Sequence, residues 1–451
     1  MKKTDKTPRN VLLLGSGGRE HAFAVLISKS ALCGQLYIAP GNAGTELEGT
    51  NVDLKVTDFP AIKEFIQEKD ISVIISGPED PLVAGIVDYF ESDPETAHVL
   101  VVGPSKAAAA LEGSKSFAKE FMVENKILTA QYCKFTVENF SKGEEYICAH
   151  RLPIVLKADG LAAGKGVVIC DNHQDALLEY TAMLKGGKFG NAGGTVVVEE
   201  YLEGIEFSVF IFTNGWDYFT FPTAKDYKRA YDGDKGANTG GMGSVSPAPF
   251  VTQKIIAQVH AKIIYPTLKG MQEKATPYRG FLYFGLMLVG EKVYVIEYNC
   301  RMGDPETESV FMKLEGDILQ LMISIKEDRL QKKQLIIEEG FAITVALTTK
   351  EYPASSENGK LISFYEEIEN RDNFCVFCAG TKMVDNLPVT NGGRVMYVCA
   401  KDDDLSVAQG IVYEVCELVT FEGMRFRTDI GVDILKYITE NATMTKEVTQ
   451  E

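Results

Sequence analysis

The 451-residue sequence has no apolar run long enough to span a membrane. Its basic start, MKKTDKTPRN, leads only into VLLLG, which is too short for a secretory signal. A cytoplasmic protein is expected. Positive charge is in deficit, with 46 Lys and Arg against 63 Asp and Glu and a net charge of -17. That balance argues against a nucleic-acid or anionic-membrane partner, because phosphates reward clustered Lys and Arg, yet it leaves room for a local cationic pocket. The nine cysteines are scattered and odd in number, so a disulfide framework is not expected and a reducing compartment fits. One C-x-x-C occurs, Cys375 and Cys378. It lies in an alternating apolar run with no second pair and no nearby His, and reads as packed thiols rather than a metal or redox site. There is no internal repeat and no low-complexity tract.

What is present is the composition of a globular protein, 45% hydrophobic and 24% charged, in a chain too long for one core. From residue 10 to 103, short runs rich in Val, Ile and Leu (NVLLLG, QLYIAP, ISVIISG, HVLVVG) alternate with helix-like segments such as EHAFAVLISKS and FPAIKEFIQEK. That alternation predicts a parallel sheet with helices on both faces. Its loops GSGGRE, APGNAGT, SGPEDP and GPSK then share one rim, where ligands bind in such sheets. Residues 114–125 predict an amphipathic helix with Phe117 and Phe121 on one face, and 128–200 a small α+β unit. Residues 200–335 carry the strands FSVFIFT, YFGLMLV and KVYVIEYN and a helix through VFMKLEGDILQLMISI. Residues 336–435 are strand-rich and close with the helix LSVAQGIVYEVCELV, and the end of the chain reads as a polar, disordered tail.

The loop GSGGREH resembles the start of G-x-G-x-x-G, but Glu20 stands at the third glycine position and the second strand ends in APGN with no ribose-binding acid. A dinucleotide site is therefore disfavoured, though a helix N-terminus after the loop still suits a phosphate. More chemistry lies in three later segments. KADGLAAGKGV, residues 157–167, interrupts two strands with glycines Gly160, Gly164 and Gly166 and the cations Lys157 and Lys165. It reads as a hairpin flap whose amides and ammonium groups can meet a polyphosphate. VVVEEYLEGIE, residues 196–206, runs a buried strand into acids: Glu200 and Leu202 can offer a backbone pair to adenine, and Glu206 a carboxylate to ribose. In VIEYNCRMGDPETE, residues 295–308, Glu297 and Asn299 alternate onto one strand face as oxygen ligands for Mg²⁺, and Arg301 continues that face toward phosphate or carboxylate.

In this order the three segments resemble the ATP-grasp superfamily. GSGGREHA, APGNAGT, GPEDPLV, LEGSKSFAK, KADGLAAGKGV, DYKRAYDGDKGANTGGMGSVSP, EYNCRMGDPET and TNGGRV together resemble one family within it, the glycinamide ribonucleotide synthetases, over residues 10–432. The resemblance implies an α/β and α+β multidomain protein. An N-terminal doubly wound parallel-sheet domain (1–113) precedes an ATP-grasp clamp of two α+β subdomains (114–335, with a lid at about 128–200). A C-terminal α+β domain (336–435) and a polar tail (436–451) follow. It further implies that ATP phosphorylates glycine and that 5-phosphoribosylamine then attacks the glycyl phosphate. Those two small molecules are the expected partners, together with transient contacts to neighbouring purine-pathway enzymes. By family position, Lys115, Lys157, Glu199, Glu200, Leu202 and Glu206 contact ATP. Glu297 and Asn299 hold Mg²⁺ or Mn²⁺. Lys228, Arg301 and Asp304 orient the reacting substrates. Gly17, Gly18, Arg19, Asn42, Gly44 and Glu79 hold phosphoribosylamine. The absence of a Ser/His/Asp or Cys/His constellation agrees, since phosphoryl transfer needs cations and positioning more than a protein nucleophile.

Four positions depart from the patterns. Gly285 stands where many ATP-grasp enzymes have a further metal carboxylate, Tyr227 where the family usually has His, Glu308 where Gln is common, and Ala237 where Pro is frequent.

Overall fold

The computed structural model describes residues 7–162, 166–364 and 373–448. Five strands, β1 (Arg9–Gly15), β2 (Cys33–Pro40), β3 (Thr50–Asn51), β4 (Ile71–Ser76) and β5 (Leu100–Val102), form a wholly parallel sheet ordered β3-β2-β1-β4-β5. The central strands are continuous apolar runs because both faces are covered, and Val11, Leu12, Leu13 and Leu14 are all fully buried. The order reverses at β1, between β2 and β4, so the loops GSGG and SGPED open a crevice at their C-terminal ends.

The segment expected to form a lid is a four-stranded antiparallel sheet in which Ile154–Ala158 lies between Val167–Cys170 and Thr195–Glu200, with Tyr132–Thr136 on the outer edge. Two helices, Phe140–Ala149 and His173–Leu184, cover one face around the fully buried Tyr180 and Ile147. Strands Ile205–Thr213, Gly280–Val289 and Lys292–Asn299 make the second half of the clamp. Helix Lys115–Glu124 is capped by Ser114 Oγ, which accepts the Phe117 N–H. It stacks Phe117 on Phe121 and buries Phe121 against Tyr298.

The strands Lys225–Asp226 and Gly243–Ser246 leave the clamp. They pair in one five-stranded sheet with Phe341–Thr348, Arg394–Asp402 and Phe374–Cys378. The segments DYKR and NTGGMG, central to the expected chemistry, are thus built onto the C-terminal core.

Two expectations are corrected. The stretch VFMKLEGDILQLMISI is not one helix: Glu306–Phe311 and Ile318–Ile323 are separated by a short strand, Leu314–Gly316. Gly316 takes φ +107°, which a helix cannot accommodate, and the Asp317 carboxylate restarts the helix by accepting the Gln320 N–H. The expected polar tail is helical through Val448, in a helix beginning at Val432. Ile434, Tyr437 and Ile438 recur at helical spacing on its packed face, and the Tyr437 ring meets Phe250 at 6.2 Å.

The N-terminal and C-terminal domains are locked together at Cys378. Its N–H donates to His21 Nδ1 (2.8 Å) and its carbonyl accepts from Asn42 Nδ2 (2.8 Å). His21 is 3% exposed and packs edge-on against Phe377. Burial lowers its pKa to about 4. An unfolded chain, with a His pKa of about 6.5, therefore binds the proton first as pH falls. Stability from this residue is full above about pH 6.5 and declines toward pH 4, by about 2 kcal/mol at pH 5. We predict a fall in thermal midpoint between pH 7 and pH 5 that is smaller in His21→Gln, whose amide oxygen still accepts the Cys378 N–H. An equal fall in both proteins would contradict this account.

Candidate active site

A cavity of about 1080 Å³ opens between the lid, the clamp and the C-terminal sheet, and a smaller one of about 130 Å³ continues beneath the flap. Glu79, Lys157, Glu199, Glu297, Asn299 and Arg301 border both.

Strand Lys292–Asn299 brings Glu297 and Asn299 to this junction. Gly285 lies directly opposite Glu297 across the strand pair, and a Cβ there would fall 3.0 Å from Glu297 Cγ. The residue that replaces the further acid thus clears space for the Glu297 side chain. Burial works against ionisation of Glu297, but Lys228, Lys157, Lys115 and Arg301 hold its carboxyl below the usual range. Among the described residues no three His, Cys, Asp or Glu side chains form a ready-made metal cluster. The oxygen donors Glu297 and Asn299 suit a hard cation whose remaining ligands are phosphate oxygens.

Arg301 is held from several sides. Its Nε meets Glu79 Oε2 at 3.0 Å, its Nη2 meets Glu112 Oε1 at 3.0 Å, and its Nη1 donates to Asn299 Oδ1 at 3.2 Å. Glu112 is fixed in turn by accepting the Cys300 N–H at 2.6 Å. Arg301, against the cost of burial, brings the Glu79 carboxyl down to about 2.

At the lid, Lys157 is 5% exposed and meets Glu199 Oε2 at 3.1 Å, while Lys119 meets the same oxygen at 2.9 Å. Glu199 Oε1 is buried and takes no hydrogen bond among the described residues. Lys115 Nζ donates to the Gly160 carbonyl at 3.0 Å, tying the clamp helix to the flap, and burial lowers its pKa. Gly160 and Gly166 flank the flap where a Cβ would lie 2.7 Å from Ala192 and Ala162 respectively. Gly164 and Lys165 lie outside the described residues.

Glu200, Leu202 and Glu206 line the large cavity. Glu206 forms an ion pair with Lys228, and Glu200 Oε1 accepts the Gln131 N–H at 2.9 Å. Asp304 accepts from Tyr397 Oη and pairs with Arg394 Nη2 at 3.2 Å. Arg394 Nη1 also donates to the carbonyls of Asp304 (2.7 Å) and Gly240 (2.6 Å). Arg19 and Glu79 reach the cavity, whereas Gly17, Gly18, Asn42 and Gly44 do not line it. The Gly17 N–H is taken by Glu20 Oε2 at 2.6 Å, which is what the acid at the third glycine position does. A Cβ on Gly18 would strike Tyr397, and one on Gly44 would strike His21. Tyr227, at the usual His position, is 3% exposed and donates to Asp433 Oδ1. Glu308 is fully buried, and burial pushes its carboxyl well above the ordinary range.

Glu112, Lys119, Arg394 and Tyr397 are absent from the sequence-based set. Glu112 and Arg394 fall inside LEGSKSFAK and TNGGRV, but their partners lie 189 and 90 positions away, Arg301 and Asp304 respectively.

Comparison with known proteins gives the family. Residues 9–112, 113–307 and 342–433 match the N, ATP-grasp (A) and C domains of phosphoribosylglycinamide synthetase. The chain is 42% identical over 426 residues to the phosphoribosylamine–glycine ligase of Yersinia pestis, covering 94% of this chain and 98% of that protein. It is 40% identical over 94% of its length to the bifunctional purine biosynthetic protein ADE1 of Schizosaccharomyces pombe, of which it covers 53%. The crystal structure of phosphoribosylamine–glycine ligase from Thermotoga maritima superposes with a TM-score of 0.79 at 34% identity, over 93% of this chain and 100% of that one. The chain belongs to the phosphoribosylglycinamide synthetase family and is an ATP-dependent ligase.

Proposed function

We propose that this chain uses ATP to phosphorylate the carboxylate of glycine and transfers the glycyl group to the amine of 5-phospho-β-D-ribosylamine. The products are glycinamide ribonucleotide, ADP and phosphate, in the second step of de novo purine synthesis. The observation that carries this reading is the convergence of Lys115, Lys157 and Arg301 with Glu297 and Asn299 on one enclosed junction. A carboxylate is a poor acyl donor; transfer of the γ-phosphoryl group from ATP, with ADP leaving, supplies the activation, and fixed cations that hold the carboxylate in line lower the barrier to that transfer.

Adenine would lie against Glu200 and Leu202, with ribose on Glu206 and the phosphates between Lys115 and Lys157. Gly160, Gly164, Lys165 and Gly166 would form the flap above them. Glu297 and Asn299 would hold Mg²⁺ or Mn²⁺, which when bound offsets negative charge on the phosphates. Glu206 and Lys228 are assigned to different substrates yet pair with each other in the structure. Ribose binding at Glu206 would therefore free Lys228 for the glycine carboxylate, beside Arg301. Arg19, Glu79 and Asp304 would face phosphoribosylamine, on loops fixed through Gly17, Gly18, Asn42 and Gly44. A closed flap would keep water from an acyl phosphate. Cytoplasmic location and passing contacts with neighbouring purine enzymes complete the reading; no helix among the described residues is long and apolar enough to cross a membrane.

Lys157→Ala should raise the KM for ATP about tenfold to a hundredfold through loss of a charged phosphate contact. An unchanged ATP dependence would remove Lys157 from that role. Glu297→Ala should abolish stimulation of ADP release across a Mg²⁺ or Mn²⁺ titration, and wild-type stimulation would contradict the metal assignment. Glu112→Gln should lower kcat with a smaller change in ATP KM, because it loosens Arg301 rather than touching nucleotide. Wild-type turnover would show that Arg301 needs no such support.

A further inference from the structure

Asp159 is a charged residue within KADGLAAGKGV that none of the roles above uses, and it borders neither cavity. Its backbone belongs to the four-stranded sheet. One residue past the strand Ile154–Ala158, its N–H donates to the Thr195 carbonyl at 3.0 Å. Its carboxylate reaches the other way, to the start of the clamp helix Lys115–Glu124. Oδ1 accepts the Ser116 N–H at 2.7 Å and Ser114 Oγ at 3.1 Å, and Oδ2 accepts Ser116 Oγ at 2.6 Å. Negative charge is favourable at the N-terminus of this ten-residue helix, where N–H groups lack partners within the helix. Lys115, between the two serines, returns the contact: its Nζ donates to the Gly160 carbonyl at 3.0 Å. Ser-Lys-Ser and Asp-Gly therefore grip each other from both sides.

The two halves of this lock are not equivalent. Lys115 is assigned to the phosphates, so nucleotide binding draws it from the Gly160 carbonyl. The Asp159 contacts involve no group assigned to a ligand and survive that change. Two further links between the clamp helix and the sheet sit about one turn along. Lys119 meets Glu199, which is itself assigned to ATP, and Glu120 meets Lys134 in a half-exposed pair that contributes little. We propose that Asp159, seated on Ser114 and Ser116, is the positioning residue that keeps the start of the flap in register after phosphoryl transfer. The proposal rests on the glycine-ligase reading. Its consequence is chemical, because an acyl phosphate is open to two nucleophiles. Attack of the ribosylamine nitrogen on the acyl carbon forms the amide, sheds a proton and releases phosphate with the bridging oxygen. Attack of water on the same carbon releases the same phosphate, returns glycine and a proton, and leaves ATP converted only to ADP and phosphate. A flap that loses its anchor at Asp159 admits the second path.

The test uses the full-length enzyme and the variants Asp159→Ala, Asp159→Asn and Ser116→Ala. At saturating ATP, glycine and phosphoribosylamine, the ADP released is compared with the glycinamide ribonucleotide formed, alongside the KM for ATP and the thermal midpoint. Wild type is expected to form the two in equal amounts. In Asp159→Ala the ratio of ADP to product rises to about two or more, the surplus requires glycine, and the KM for ATP stays within about threefold of wild type. Asp159→Asn lies between the two, since its amide oxygen still accepts the Ser116 N–H. Ser116→Ala removes one hydroxyl and keeps that N–H, so it tests the lock whether or not Asp159→Ala folds, and its ratio also exceeds that of wild type. Equal amounts of ADP and product in Ser116→Ala or in folded Asp159→Ala would overturn the proposal, even if the thermal midpoint fell. Surplus ADP that forms without glycine would overturn it as well. If wild type released no ADP in response to glycine, the ligase reading would fail. If it did and the variants stayed coupled, only the role of Asp159 would fail.

Discussion

Arg301 between Glu79 and Glu112 is the contact on which the site depends. Glu79 comes from the loop after β4 and Glu112 from the end of the helix Lys106–Gly113, while Arg301 follows the Glu297–Asn299 strand. One guanidinium therefore fixes the distance between the N-terminal domain and the strand carrying the proposed metal ligands. Removing either acid leaves a buried charge partly unpaired, a costlier change than losing a surface ion pair. The same contact balances the site electrically. With Arg301 held by two acids and Lys157 paired with Glu199, Lys115 meets a carbonyl rather than a carboxylate, and its bond to Gly160 brings the flap and the clamp helix together at the small cavity.

A second set of contacts ties the C-terminal sheet into this frame. Arg394 bridges the Gly240 and Asp304 carbonyls, Tyr397 donates to Asp304, and the Cys378 backbone joins the His21 helix to the strand Phe374–Cys378. The glycine-rich segment 238–243 and the GDPE turn are thus positioned by residues that touch no substrate in the proposed arrangement. That division suits a ligase that must hold three small molecules in line: the loops stay short and glycine-rich, and rigidity comes from a sheet behind them.

Much of this was legible in the sequence wherever the signal is local. The parallel sheet follows from the strand–helix alternation of residues 10–103, the antiparallel strand pair from the hairpin reading of KADGLAAGKGV, and the facing of Glu297, Asn299 and Arg301 from a two-residue repeat. The tail was misjudged because ENATMTKEVTQE is polar, while the packing residues Ile434, Tyr437 and Ile438 lie just before it. The break at Gly316 was hidden by apolar residues on both sides, which fit a single helix until the positive φ is known. Glu112 and Arg394 gain their meaning only from partners far along the chain, which no short window reveals.

The central claim is that the enclosed junction activates a carboxylate by phosphorylation. Glycine labelled with ¹⁸O in its carboxyl group tests it directly during turnover with ATP and phosphoribosylamine. The account predicts one labelled oxygen in each phosphate released, because the bridging oxygen leaves with the phosphoryl group when the amine attacks. Phosphate free of label, with glycinamide ribonucleotide still forming, would contradict it.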